Sequence, residues 1–236
     1  MKSALASEND IHEITKEHLS NCGDKAITLL AQIINSIFNL CSIPDSLKLG
    51  RITPVHKKND VTNPNNYPGI TVIAVIGKIC EILIRDKSSL KIELQQSALQ
   101  HGFTKGASPI NSALLIQEGI NEAKDNKQLV ELILLDVKKA FDVVWHESLE
   151  RKLYFDGIQG EDWLLIRNIY TSIQSVVKFK NLISSPFIIE QGVRQGGILS
   201  ADHYKWFVNT LLKLIEESNL GTHVGLHSCA APTCAD

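Results

Sequence analysis

The chain has 236 residues, enough for one large domain or two small ones. Its 44% hydrophobic and 21% charged content exclude a disordered polymer. A formal net charge of −2 excludes a uniformly basic surface, so any contact with nucleic acid needs a local basic face.

The five cysteines, Cys22, Cys41, Cys80, Cys229 and Cys234, are odd in number and contain no C-x-x-C, which argues against a disulfide framework and for reduced thiols inside a cell. No signal peptide is read in MKSALASEND, and no apolar run reaches the length of a transmembrane helix.

Residues 1–24 are polar, lack a strong period and are expected to be partly loose. Ala26 to Leu40 carries Ile27, Leu30, Ile34, Ile37 and Phe38 at helical spacing, with Asp24 as a cap and Ser42-Ile43-Pro44 as the stop. The following stretch holds Lys48, Arg51, Lys57 and Lys58 with no acid before Asp60. It predicts a basic hairpin or ribbon, either a solvated face or a surface that meets phosphates. Asn63 to Gly69 is a loop, and a helix is expected from about Ile73 to Leu90. After a turn at Gln100 to Gly106, a helix runs from Ser108 to Lys124 with Pro109 in its first turn.

The apolar run Leu132-Ile133-Leu134-Leu135 ends abruptly on Asp136. This pattern predicts a strand buried on both faces with a carboxylate at its C-terminal edge, where a metal and a ligand can reach it. Asp142 follows, where a place in a helix's first turn and a chemical role are both open. Helices are expected at His146 to Asp156, stopped by Gly157, and at Asp162 to Tyr170. Tyr154, Trp163 and Tyr170 are read as core rather than base-stacking groups. Strands are expected at Ser175 to Lys180 and Phe187 to Ile189. Then come the glycine-rich loop Gln191 to Ser200, a helix from Asp202 to Ser218 and a strand around Val224 to Leu226. His223, His227, Cys229 and Cys234 can be drawn as a zinc site but match no known zinc spacing.

Asp136, the loop with Arg194 and Gln195, and the distant Asp236 form one chemical scheme. Carboxylates brought together repel, and a divalent cation relieves the conflict. Magnesium favours one or two carboxylates plus substrate phosphates, and two such ions can hold the attacking and leaving oxygens of a phosphoryl transfer. The pair Gly196-Gly197 would let the backbone approach a nucleotide or template closely.

Spacing alone does not select this scheme; the residue strings do. LDVKKAFD, GVRQGGILS and the terminal CAD, with ITPVHKKND, NYPGI, VIGKICEILI and QHGFTKGAS upstream, resemble the ordered motifs of reverse transcriptases, especially those of non-LTR (LINE-like) retrotransposons. The resemblance implies an α+β fold: the fingers and partial palm of a right-hand polymerase, with an antiparallel palm sheet backed by helices and no thumb. It assigns a polar segment to 1–25, fingers to 26–125, and palm to 126–236 with a return to the fingers around 146–185. It implies Mg²⁺ held by Asp136 and Asp236, Phe141 under the incoming sugar, and Arg194, Gln195 and Gly196 beside nucleotide and template. Lys57 and Lys58 would stand near the triphosphate. The implied partners are an RNA template, a DNA primer and deoxynucleoside triphosphates, with no membrane. The place of work would be intracellular, and nuclear if synthesis starts at a chromosomal target.

Three departures stand out. Pro68 follows Tyr67 where the family usually has Arg; Ala201 replaces a Pro; and the string stops at Asp236, before the second Asp of the family's A-D-D. The expectation is therefore a chain truncated within that motif, without the rest of palm and thumb. It should be poorly soluble, with little or no processive synthesis. The alternative is a catalytically dead RNA-binding or interaction module.

Overall fold

A computed structural model of the chain describes residues 10–57, 60–218, 220–225 and 227–234. Lys58 and Asp236 lie outside the described residues. The chain divides into two compact units, residues 1–90 with 141–200 and residues 91–140 with 201–236.

The first unit holds α1 (Lys16–Ser20), α2 (Asp24–Leu40), α3 (Asp45–Lys48), β1 (Leu49–Pro54), β2 (Gly69–Ile73) and the start of α4 (Val75–Gln95). Gly23, not Asp24, is the N-cap of α2, and Asp24 sits in its first turn. Part of the N-terminal segment is tied down rather than loose. Asp10 is buried, and its carboxylate accepts the N–H groups of His12, Ile14 and Val75. The residue before α4 is Ala74, which has no side-chain acceptor, so Asp10 caps that helix from 65 positions away.

After residue 140 the same unit resumes with α6 (His146–Phe155), α7 (Gly160–Tyr170), β3 (Gln174–Phe179), β4 (Leu182–Ile183) and β5 (Phe187–Ile188). The sheet is mixed rather than antiparallel throughout. β1 pairs antiparallel with β2, Gly50 opposite Ile73, and parallel with β3, Leu49 opposite Gln174. β3 in turn pairs antiparallel with both β4 and β5. A parallel pair needs a long crossover, and the chain between β1 and β3 provides it, ending in α6 and α7. Tyr170 is buried, as expected of a core aromatic, but Tyr154 of α6 is exposed and Trp163 of α7 half-buried; these two meet edge-on at 5.5 Å at the surface rather than in the core.

The central place of β1 corrects the expected basic ribbon. Lys48 and Arg51 are both buried. The Lys48 ammonium lies 3.0 Å from Asp45 and donates to the Thr171 carbonyl at 3.2 Å. Lys48 ends α3 and Arg51 lies on β1, a strand with a neighbour on each side; both side chains are packed within the unit rather than left for phosphates.

The second unit holds the end of α4, then α5 (Pro109–Asp125), α8 (Ser200–Glu217) after its first residue, and a small hairpin of β6 (His223–Val224) and β7 (His227–Ser228). α5 opens as the sequence predicts, with Pro109 at its start and the Ser108 N–H donating to Asn111 Oδ1 at 2.8 Å. The helix passes close to the hairpin: a Cβ on Gly119 would lie 2.4 Å from Thr222 Oγ1. Asn209 of α8 accepts the Ser97 N–H and donates to the Gln95 carbonyl, closing the end of α4.

Leu132 to Leu135 do not form the expected buried strand. They are in no strand pairing among the described residues, and Leu134 and Leu135 are 81% and 82% exposed. A strand exists only where a neighbour takes up its peptide groups, and an apolar run does not say which segment that neighbour is. Among the described residues no helix is long and apolar enough to cross a membrane.

His203 on α8 is fully buried, and burial pushes its imidazole down to about 4. An unfolded imidazole titrates near 6.5, so the unfolded chain takes up this proton more readily. The folded pKa is depressed, so the stability is present above about pH 6.5 and is lost as pH falls toward 4. Denaturant unfolding of wild type and His203→Gln should give stability curves whose difference changes by about 2 kcal/mol between pH 7 and pH 5. Parallel curves would show that another group sets the acid limb.

Candidate functional site

The glycine-rich loop, residues 191–199, is buried or half-buried except at Gln191 and Gly196, and most of its peptide groups are matched one after another. At its start the Gly192 N–H donates to the Val144 carbonyl and the Val193 N–H to the Phe141 carbonyl, each at 2.7 Å. Gly192 has φ +94°, and a Cβ there would lie 3.0 Å from the Asp142 carbonyl oxygen. The loop is thereby stitched to the tail of the LDVKKAFD string. His146 adds a third tie, its Nε2–H donating to the Gly192 carbonyl at 2.7 Å while its ring lies 4.5 Å from that of Tyr170. Burial lowers the His146 pKa, keeping the ring neutral, and the Gly192 bond opposes that shift.

Arg194 is turned inward. Its Nη2 donates to the carbonyls of Lys48 and of Gln174, the latter at 2.9 Å, bridging the starts of the parallel pair β1 and β3. The guanidinium passes over Gly50, where a Cβ would lie 3.3 Å from Cζ. Burial pushes its pKa down to about 10, against the pull of Glu81, and leaves it charged at neutral pH. Nη2 of Arg194, expected beside nucleotide and template, is here directed to two backbone carbonyls.

The Gln195 carbonyl accepts the Thr71 N–H of β2 at 2.6 Å. The Gly197 N–H closes a turn onto the Arg194 carbonyl at 2.9 Å, with Gly196 at φ +116° in the third position. A Cβ on Gly196 would come within 2.5 Å of the Thr71 carbonyl oxygen, so this glycine serves a close approach to β2. Gly196 itself is exposed and Gln195 half-buried. Glu81 of α4 ends the series: its Oε2 accepts the Ile198 N–H at 2.6 Å and the Leu199 N–H at 3.3 Å. Nothing in the sequence pattern singles out Glu81, which interrupts an apolar helix face more than a hundred residues upstream of the loop.

The other expected site residues are placed as follows. Phe141 is half-buried and follows the exposed Asp136, Lys138 and Lys139 in the chain. Lys57 is exposed, on a segment that extends the β1–β2 pairing through Val55 N–H to the Pro68 carbonyl and Lys57 N–H to the Asn66 carbonyl. His56 and Tyr67 face each other across it at 5.1 Å. Among the described residues no group of three or more His, Cys, Asp or Glu is arranged to hold a metal ion. The single exposed carboxylate of Asp136 still matches the donor set of magnesium, which takes one or two carboxylates and completes its shell with phosphates and water.

The QHGFTKGAS string has a structural role within the second unit that its sequence did not disclose. The His101 N–H donates to the Thr233 carbonyl at 2.9 Å and the Thr233 N–H to the Leu99 carbonyl at 2.8 Å. His101 Nδ1 meets Ser112 Oγ at 2.7 Å, and that hydroxyl also reaches the Thr233 carbonyl. The segment that leads to Asp236 is held by this turn.

Replacing Gly196 by Ala combines a left-handed backbone with a collision against backbone, whereas Gly106, at φ +80°, has open space around its Cβ position. Gly196→Ala should cost about 2–3 kcal/mol in denaturant unfolding and Gly106→Ala about 1. Equal losses would show that the approach to Thr71 relaxes freely.

Residues 55–229 match the family model described as reverse transcriptase (RNA-dependent DNA polymerase). The chain is 27% identical over 194 residues to a probable RNA-directed DNA polymerase from transposon BS of Drosophila melanogaster, covering 79% of this chain and 21% of that protein. It is 29% identical over 178 residues to a probable RNA-directed DNA polymerase from transposon X-element of the same species, covering 74% of this chain and 20% of that one. A Pol polyprotein from the type-1 retrotransposable element R2 of Popillia japonica is 24% identical over 185 residues, covering 78% and 26%. The chain thus spans about a fifth to a quarter of the length of these relatives. The structure resembles apo telomerase from Candida tropicalis truncated from its C-terminal domain, with a TM-score of 0.51 at 13% identity, over 81% of this chain and 45% of that one. In agreement with the non-LTR motifs that it carries in order, this chain belongs to the reverse transcriptase family.

Proposed function

We propose that this chain is the nucleotide-handling part of an RNA-directed DNA polymerase of a non-LTR retrotransposon. The observation that carries this reading is the glycine-rich loop, fastened by backbone bonds to Phe141–Val144 on one side and to β2 on the other. It keeps the end of the LDVKKAFD string, Phe141-Asp142, in fixed relation to the GVRQGGILS string within one unit. In this reading residues 26–125 are the N-terminal helix and fingers and residues 126–236 the partial palm, with a return to the fingers around 146–185.

The chemistry is attack of a primer 3′-hydroxyl on the α-phosphate of a deoxynucleoside triphosphate, directed by an RNA template, with pyrophosphate leaving. Asp136 and Asp236 would hold Mg²⁺, which supplies charge for the phosphates and lowers the barrier for the attacking oxygen. Phe141 would pack under the sugar and disfavour a 2′-hydroxyl. Gln195 would border the nucleotide and template through its side chain, since its carbonyl is taken by Thr71. Arg194 would act at one remove, by holding the loop on the sheet. Lys57, exposed, and Lys58 would meet the triphosphate or the template backbone. This is work done inside a cell, in the nucleus where the target is chromosomal.

The test is addition of a single complementary deoxynucleotide to a DNA primer on an RNA template. Addition should need Mg²⁺ and vanish with Asp136→Ala. RNA binding that survives that substitution, with no addition by the unaltered chain at any Mg²⁺ concentration, would overturn the polymerase reading in favour of a binding module. Pro68 supplies a second test. It offers neither charge nor N–H where the family's Arg helps hold the triphosphate. Pro68→Arg should lower the nucleotide KM about tenfold, the worth of one charge-assisted hydrogen bond, with little change in kcat. An unchanged KM would show that the triphosphate lies elsewhere.

A further inference from the structure

We propose that Glu81 is a positioning residue that sets the glycine-rich loop for nucleotide binding, by accepting the two adjacent N–H groups of Ile198 and Leu199. The ligand half of this proposal rests on the polymerase reading above.

Glu81 lies on α4, only 9% exposed, in a stretch otherwise given to Ile79, Cys80, Ile82 and Ile84. One carboxylate oxygen, Oε2, receives both N–H groups, at 2.6 and 3.3 Å. Two consecutive peptide planes are thereby aimed at one point, which fixes the path of the loop just after its turn. The turn is shaped to admit the carboxylate. A Cβ on Gly197 would lie 3.4 Å from Oε2 and 2.5 Å from Ser200 Oγ. Positive charge is close, from Arg194 of the same loop and from Lys78 one turn earlier on α4. Burial raises the Glu81 pKa, and the two N–H groups and these cations oppose the rise.

A carboxylate is a poor choice if the position needs only to be filled. Replacing a buried charged group by an apolar one of similar volume is often neutral or stabilising when nothing depends on its geometry. What Glu81 adds is directional: it decides where Gln195 and Gly196 stand, four and five residues after the backbone of the loop leaves Gln191. Glu81 itself faces inward and touches no ligand.

The experiment compares wild type, Glu81→Leu, Glu81→Asp and Glu81→Gln by amide hydrogen exchange over residues 194–200. It also measures binding of the complementary deoxynucleoside triphosphate to the chain on an RNA template with a chain-terminated DNA primer and Mg²⁺. Glu81→Leu should raise exchange at Ile198 and Leu199 by about tenfold or more while the β1–β3 ladder keeps its protection, and should weaken nucleotide binding about tenfold. Glu81→Gln keeps an oxygen in place and should stay within about threefold of wild type in both readouts. Should Glu81→Leu fail to fold, Glu81→Asp carries the test, because it keeps the charge and withdraws the acceptor by one methylene. It must show the same loosening.

Wild-type exchange at Ile198 and Leu199 in Glu81→Leu or Glu81→Asp overturns the proposal. So does loosened exchange with unchanged nucleotide affinity, and so does a Glu81→Gln variant as loose as Glu81→Leu. Failure of the wild-type chain to bind nucleotide on primed RNA is a separate result. It would sink the polymerase reading and the ligand half of this proposal, while the exchange data still judge the tie to the loop.

Discussion

The guanidinium of Arg194 closes over Gly50 onto the carbonyls of Lys48 and Gln174, and the arrangement of the first unit follows from that bridge. β1 and β3 are parallel and far apart in the chain, so no hairpin holds their starts together. A cation on a third segment does so, by binding one carbonyl at the start of each. The condition is that β1 carries no side chain at position 50, where Thr71, Ser175 and Arg194 all converge. Once Arg194 is inside, the residues beside it must find partners for their own peptide groups. They find them on β2, on the Phe141–Val144 segment and on Glu81.

Burying a charge on this scale is costly unless something answers it. Arg194 and Glu81 answer each other at a distance: the anion opposes the downward shift that burial gives the cation, and the cation opposes the upward shift of the anion. Each spends its hydrogen bonds on backbone rather than on the other. A direct ion pair would satisfy both charges and leave four backbone groups, two carbonyls and two N–H groups, without partners. The observed division satisfies the charges electrostatically and the backbone geometrically, through the charge-assisted bonds that are the stronger kind. The loop is therefore fixed at its start by backbone bonds and the His146 ring, next by Arg194 and the backbone of β2, and at its end by the Glu81 carboxyl group.

The sequence disclosed the elements whose signals are local. α2, α5, α6, α7 and α8 follow from helical spacing, Pro109 and Gly157, and β3 follows from its alternation. The family was legible in short strings, because those strings are what the loop and its neighbours require. What failed was whatever depends on who lies next to whom. Lys48 and Arg51 looked like a phosphate-binding ribbon because the sequence does not say that β1 is flanked on both sides. Leu132 to Leu135 looked like a buried strand because apolar character says that a partner is needed but not that one is present. The parallel pairing of β1 with β3 is likewise set by partners that no local pattern names. Glu81, His101 and Asp10 act on segments 117, 132 and 65 positions away, and no periodicity carries such information.

The glycines of the loop show how a correct motif can carry a misread cause. Gly196-Gly197 suggested a backbone left bare for a ligand. In the structure the position of Cβ at Gly196 is claimed by the Thr71 carbonyl, and at Gly197 by Ser200 and Glu81. The bareness is for the protein's own sake: it lets the turn lie flat on β2 and admit a carboxylate beneath it. The same bonds narrow what the loop has left to offer. The carbonyl of Gln195 is occupied, Nη2 of Arg194 is occupied while its buried Nε has no hydrogen-bond partner among the described residues, and the N–H groups of Ile198 and Leu199 are occupied. The Gln195 side chain and the exposed backbone of Gly196 remain as its outward groups. A motif that reads as three binding residues thus reduces to a narrow edge on a rigid support, and the order of its letters records the support more than the edge.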